Sequence, residues 1–227
     1  MKLQELSHKN FNLILEQHHQ DGGTAINDAL RKLFDSLSDE SNYYEVTTKV
    51  AALNTMYSTA IQYIYPVVDK IHENIPNEHV NLTIDGYVQL VDKISKVTWI
   101  SKSNGKENSR NNLSFASKYI HFLSKCSIPI YDSYIWIVII GYLNQKVGLQ
   151  YRFDPPENYE YFYSVFCTFK KQYGLNGYSN YDIDKYLWQY GKTLILSIME
   201  EDGVSMDKAK RELKNRITKH LRRIPNA

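Results

Sequence analysis

The sequence predicts an all-α fold. Apolar residues recur at three- and four-residue steps through most of the chain, capping residues precede several of these stretches, and strand-like alternation is scarce. Phe11, Leu13, Ile14 and Leu15 begin a first helix, and Ile26, Leu30, Leu33 and Leu37 mark a second. Ser38-Asp39-Glu40-Ser41 offers caps for a long third stretch, Tyr44 to about Ile75, which Pro66 should kink or divide. Asp85 can cap a helix that runs through Val88, Leu90, Val91, Ile94 and Val97 to Trp99, and the polar segment 101–112 reads as an exposed loop. Further helices are expected near 114–125, 132–145, 157–173, 181–199 and 206–222, with breaks at 174–177 and 200–203. No internal repeat and no long Pro/Gly/Ser linker interrupts this order.

With 227 residues, 43% of them hydrophobic and 13% aromatic, the chain can bury a substantial core. No run approaches the ~20 apolar residues of a membrane span, and the N-terminal stretch lacks a signal-type apolar region, so the expectation is a soluble, cytoplasmic protein. Cys126 and Cys167 lie in apolar surroundings outside any C-x-x-C pair and are expected to be reduced, buried thiols. The histidines lack the spacing of a metal site, and no cofactor is expected. The net charge of +2 hides an asymmetry, because residues 207–227 hold eight Lys/Arg against Asp207 and Glu212. A smaller basic group, Lys102, Lys106 and Arg110, precedes Leu113. Such clusters suit phosphates, and equally a solvated helix face.

The stretch from Leu113 to Trp136, LSFASKYIHFLSKCSIPIYDSYIW, places Lys118 at a turn into an apolar helix and Asp132 after a Pro-containing turn that opens another. This pattern resembles the signature of the helix-hairpin-helix DNA glycosylase superfamily, in particular its 8-oxoguanine glycosylase-like bacterial branch. The resemblance implies two helical subdomains flanking a cleft, with about 44–145 forming the hairpin-containing part and 1–43 with 146–227 forming the other. It also implies Ser114-Phe115-Ala116-Ser117 as a hairpin turn that binds DNA phosphates, with Ser114, Ala116 and Ser117 at the strand. Lys118 becomes the amine, Asp132 the carboxylate, and Asn54 and Met56 of LNTMYST fall where the family fills the hole left by a flipped base. Two cysteines cannot build the four-cysteine cluster that some members carry.

The chemistry asks for these residue types in its own right. Breaking an N-glycosidic bond develops positive charge on the deoxyribose, which an ionised carboxylate stabilises directly or by activating water. Asp132 is the candidate for that role and, at a helix start, is equally an ordinary N-cap. Lys118 could attack the anomeric carbon and form a Schiff base, stay protonated against a phosphate, or be a solvated lysine. An extruded base needs stacking surfaces, for which Tyr57, Tyr131, Tyr134, Trp136, Trp188 and Tyr190 are candidates, each also an ordinary core residue. The expected partner is double-stranded DNA containing a modified base, bound by a monomer. Glucosylated hydroxymethylcytosine of phage DNA is one expected target, oxidised purines of host DNA another, and a non-catalytic helical DNA-binding module is the reading without chemistry.

Overall fold

The computed structural model describes residues 1–76, 79–101 and 103–223. Among them the fold is mostly helical, with ten α-helices and one two-stranded antiparallel sheet. No described helix is long and apolar enough to cross a membrane. The chain forms two compact units, one of Met1–Asp21, Asp132–Glu157 and Phe162–Ala227, the other of Gly22–Tyr131 and Asn158–Tyr161. These boundaries differ from the expected 44 and 145. The segment 22–43 belongs with the hairpin-containing part because Leu30 and Phe34 are buried there, and 132–145 belongs with the other, where its helix packs.

The first unit holds α1 (His8–Gln20), α7 (Ser133–Val147), most of α8 (Tyr159–Gln172), α9 (Asn180–Asp202) and α10 (Met206–Leu221). Every residue of α7 from Ile135 to Asn144 is buried, so this helix is apolar all round and is surrounded rather than faced on one side. α9 packs on α1, α7 and α10, and α10 also meets α7. Gly191 on α9 is what lets α7 come close: a Cβ there would lie 3.0 Å from the Tyr134 Cβ and 3.3 Å from a Val138 methyl. Gly191→Ala is therefore expected to cost about 1–3 kcal/mol by overpacking, read as a lower midpoint of thermal unfolding with the helical content unchanged. The break expected at 200–203 falls later, because α9 continues to Asp202 and only Gly203, in the left-handed conformation (φ +63°), closes the helix.

The basic C-terminal helix is anchored as well as solvated. Ala209, Leu213, Ile217 and Leu221 form its buried face. Arg216 forms ion pairs with Glu201 and Asp202, both at 2.7 Å, and with Glu212 at 3.3 Å, which fixes α10 to the end of α9.

The second unit holds α2 (Gly23–Ser36), α3 (Tyr43–Met56), α4 (Tyr65–Asn74), α5 (Ile84–Ser95), β1 (Lys96–Ile100), β2 (Glu107–Asn111) and α6 (Leu113–Leu123). The expected 44–75 helix is two helices. Pro66 sits in the first turn of α4, where its missing N–H costs nothing, and residues 57–64 form a loop. α3 is capped by Asn42, whose Oδ1 accepts from the amides of Tyr44 (3.1 Å) and Glu45 (3.4 Å), rather than by residues 38–41. Likewise Thr83 caps α5 and Asp85 falls in its first turn.

Within this core Glu40, Lys49 and Tyr119 form a buried polar cluster. Lys49 pairs with Glu40, donates to the Leu37 carbonyl at 2.9 Å and lies 5.5 Å from the centre of the Phe34 ring. The Tyr119 hydroxyl donates to the other Glu40 oxygen at 2.7 Å, and burial, reinforced by that carboxylate, pushes its pKa well above the usual phenol value.

The helix expected to reach Trp99 ends at Ser95, and the next residues pair as β1 with β2, Val97 opposite Arg110 and Trp99 opposite Asn108. Val97 keeps helical step with Ile94, which explains the expectation. The run Val97-Thr98-Trp99-Ile100 nevertheless favours an extended chain, and the tight turn closed by the Ser101 amide on the Lys106 carbonyl (2.8 Å) pairs it with the polar strand that follows. Of the two thiols, Cys126 is buried as expected, whereas Cys167 is exposed because it lies on the outward side of α8 between buried Phe166 and Phe169.

Candidate functional site

Asn112 precedes α6, and the apolar residues Leu113, Phe115, Ala116, Tyr119 and Ile120 then give that helix a broad buried face. Lys118 shares the burial, at 4% exposure. One helical turn back, Ser114 Oγ accepts from Lys118 Nζ at 2.6 Å, and the ammonium lies 5.4 Å from the centre of the Tyr57 ring. That ring is itself held, since the Tyr57 hydroxyl donates to Asn27 Oδ1 at 2.6 Å and the Asn27 amide donates to the Gly23 carbonyl at 2.6 Å. The reading of Lys118 as a solvated lysine is thereby corrected.

The expected turn at 114–117 is corrected too. These four residues lie inside α6, with Ala116 and Ser117 fully buried, because their apolar neighbours continue the helical period back to Leu113. Ser117 Oγ serves the chain instead, accepting from the Tyr131 amide at 3.0 Å. Neither Ala116 nor Ser117 is placed to meet a phosphate. Ser114 is half-buried and holds Lys118.

Asp132 stands at the entry to α7 in an extended conformation, and its Oδ1 accepts from the Tyr134 amide at 2.8 Å. It is an N-cap, partly exposed, at the positive end of a fifteen-residue helix. The aromatic candidates of this unit divide. Tyr134 is half-buried, its hydroxyl donates to Met206 Sδ at 2.8 Å, and Lys210 Nζ lies 4.8 Å from its ring centre. Burial first, and the Asp132 carboxylate second, raise the Tyr134 hydroxyl pKa.

Trp136 is buried and donates from Nε1 to the Asp154 carbonyl at 2.7 Å, while Tyr190 is buried, stacks on Tyr186 and accepts from the Gln4 amide at 2.7 Å. Both are core residues whose polar tips are occupied, so their reading as pocket walls is corrected. Trp188 is half-buried, edge-on to His18 and beneath Lys192 at 5.0 Å. In the other unit Tyr131 is half-buried. Lys118 and Asp132 belong to different units.

The LNTMYST stretch builds a loop. Asn54 Oδ1 accepts from the Ile61 amide (3.0 Å) and the Thr59 hydroxyl (2.7 Å), and its Nδ2 donates to the Ile61 carbonyl (2.9 Å). The loop includes Ser58 and Ala60 at positive φ, an uncommon conformation that these bonds hold. Asn54 is thus committed within the chain, which corrects its reading as a probe of the duplex, while Met56 is exposed. Of the basic residues before α6, Lys106 and Arg110 are exposed on the hairpin, Arg110 donating to the Ala60 carbonyl at 2.9 Å, and Lys102 lies outside the described residues.

The HI_0787_N family, described as an N-terminal domain, matches residues 10–127, just over half of the chain. This chain belongs to the HI_0787_N family. An uncharacterized protein of Haemophilus influenzae is 28% identical over 158 residues, covering 70% of this chain and 72% of that protein. No solved structure matches.

The HI_0787_N segment takes in Lys118 and ends before Asp132. It also contains a cavity of about 470 Å³ that sequence reasoning missed, between residues 61–67 and the β-hairpin. Ile61, Val67 and Val97 are its buried apolar residues, and Tyr63, Trp99, Arg110 and Asn112 also line it. Assigning Trp99 to a helix concealed the site, because the hairpin is what brings strand residues against the loop.

Proposed function

We propose that this chain is a DNA glycosylase, which extrudes a modified base from double-stranded DNA and breaks its N-glycosidic bond. Hypermodified phage DNA, for example DNA carrying glucosylated hydroxymethylcytosine, is the proposed substrate, and antiviral defence the proposed role. The observation that carries the reading is the Lys118 amine, 4% exposed and held by Ser114 and by the Tyr57 ring. A lysine kept only for solubility would extend into water; this one is withdrawn from it and fixed in direction.

In the proposed chemistry Lys118 first loses its ammonium proton to solvent, and the amine then attacks C1′ as the bond to the base breaks; the base leaves with the bonding pair and takes up the proton that the newly bonded nitrogen sheds. Ring opening of the aminal then gives a Schiff base. Asp132 stabilises positive charge on the sugar as it develops. Borohydride is expected to trap a covalent protein–DNA adduct with the wild-type protein and none with Lys118→Ala. Base release that survives Lys118→Ala would exclude an obligatory lysine nucleophile.

A further inference from the structure

The cavity beside the β-hairpin has the chemistry of a nucleotide site, and neither Lys118 nor Asp132 lines it. Its volume of about 470 Å³ lies in the range of small-molecule sites. Asn112 is the telling residue. It occupies the N-cap position of α6 yet makes no capping hydrogen bond from its side chain, although Asn at this position normally does. At 9% exposure, its amide lines the cavity and has no hydrogen-bond partner among the described residues. The amide keeps solvent access and can meet a ligand that enters the cavity.

The surrounding groups define what that would be. Trp99 and Tyr63 supply aromatic surface above the apolar residues Val67 and Val97. Arg110 spends one N–H on the Ala60 carbonyl, which fixes its head, and its other N–H groups have no partner among the described residues. A fixed guanidinium suits a phosphate, aromatic surface suits a base, and an Asn amide offers the donor and acceptor that match the N6/N7 edge of adenine.

We infer that this cavity binds one adenine nucleotide unit, with Asn112 on the base edge, Trp99 against the ring and Arg110 on the phosphate. The inference does not rest on the base-excision reading. The unit could be a free nucleotide or an unstacked residue of a single strand, and its chemistry is the same in both.

Deoxyadenosine monophosphate, deoxycytidine monophosphate and pentadeoxyadenylate, titrated into the full chain by calorimetry and by tryptophan fluorescence, separate these cases. Deoxyadenosine monophosphate is expected to bind more tightly than the cytidine nucleotide and to quench fluorescence, with the quench lost in Trp99→Phe. Asn112→Asp, which keeps a good N-cap and removes the amide donor, and Arg110→Gln are each expected to weaken binding about tenfold, the scale of one lost polar contact. Equal affinity for monomer and pentamer identifies a free-nucleotide site, and much tighter binding of the pentamer a strand site. No binding of either at millimolar concentration, or binding unchanged in both variants, overturns the inference.

Discussion

Asp132→Asn is expected to lower base release at least about 10²-fold, the usual scale for losing one group that stabilises charge in a transition state, while leaving the fold intact. The choice of residue separates two roles that coincide at this position. Asp132 caps α7 through one oxygen, and asparagine caps a helix about as well as aspartate, so thermal stability should hardly change. A carboxamide cannot carry the negative charge that an oxocarbenium-like sugar requires. Asp132→Ala should lose both functions, with about 1 kcal/mol of stability removed along with the activity. Equal base release by wild type and Asp132→Asn would remove Asp132 from the chemistry and leave it as a cap.

Glu40→Ala is expected to produce the largest loss of stability, about 3–5 kcal/mol in urea unfolding, because it leaves the Lys49 ammonium buried without its counter-charge. Lys49 is fully buried and Glu40 is 1% exposed, so water cannot take the place of the lost carboxylate. The Tyr119 hydroxyl loses its acceptor in the same step. Glu40→Leu combined with Lys49→Met should be less damaging than Glu40→Ala alone, since it removes both charges and returns apolar volume to the site. A Glu40→Ala protein within about 1 kcal/mol of wild type would show that the cluster contributes little to the second unit.

The helical order was legible wherever local chemistry and packing agree. Asp132 reads as an N-cap in sequence and is one, and the break before Ser205 follows from Gly203 at positive φ. Reading failed where strand pairing in a hairpin decided the outcome. Val97 and Trp99 fit a helical continuation of α5, and their β-favouring run together with pairing to the strand 107–111 makes them extended instead. Local pattern also concealed function. The family resemblance gave the LNTMYST stretch a role in the duplex, but Asn54 closes its own loop, a use visible only once Ile61 is folded back beside it.

The same limit applied to the candidate site. Lys118 was visible as a lysine within an apolar helix, whereas its burial depends on Tyr57, sixty-one positions earlier. Ala116 and Ser117 looked like turn residues beside Ser114, yet the apolar period of α6 runs through them and turns them inward. Trp136 and Tyr190 could not be told from pocket walls until their partners Asp154 and Gln4 were in place.

The most direct test of the glycosylase assignment is to incubate the wild-type protein with host DNA and with glucosylated phage DNA, then quantify free base and abasic sites together. The account predicts released modified base matched by the sum of intact abasic sites and strand breaks formed from them in the phage DNA. DNA binding with neither product from either substrate would contradict it and leave a helical DNA-binding module.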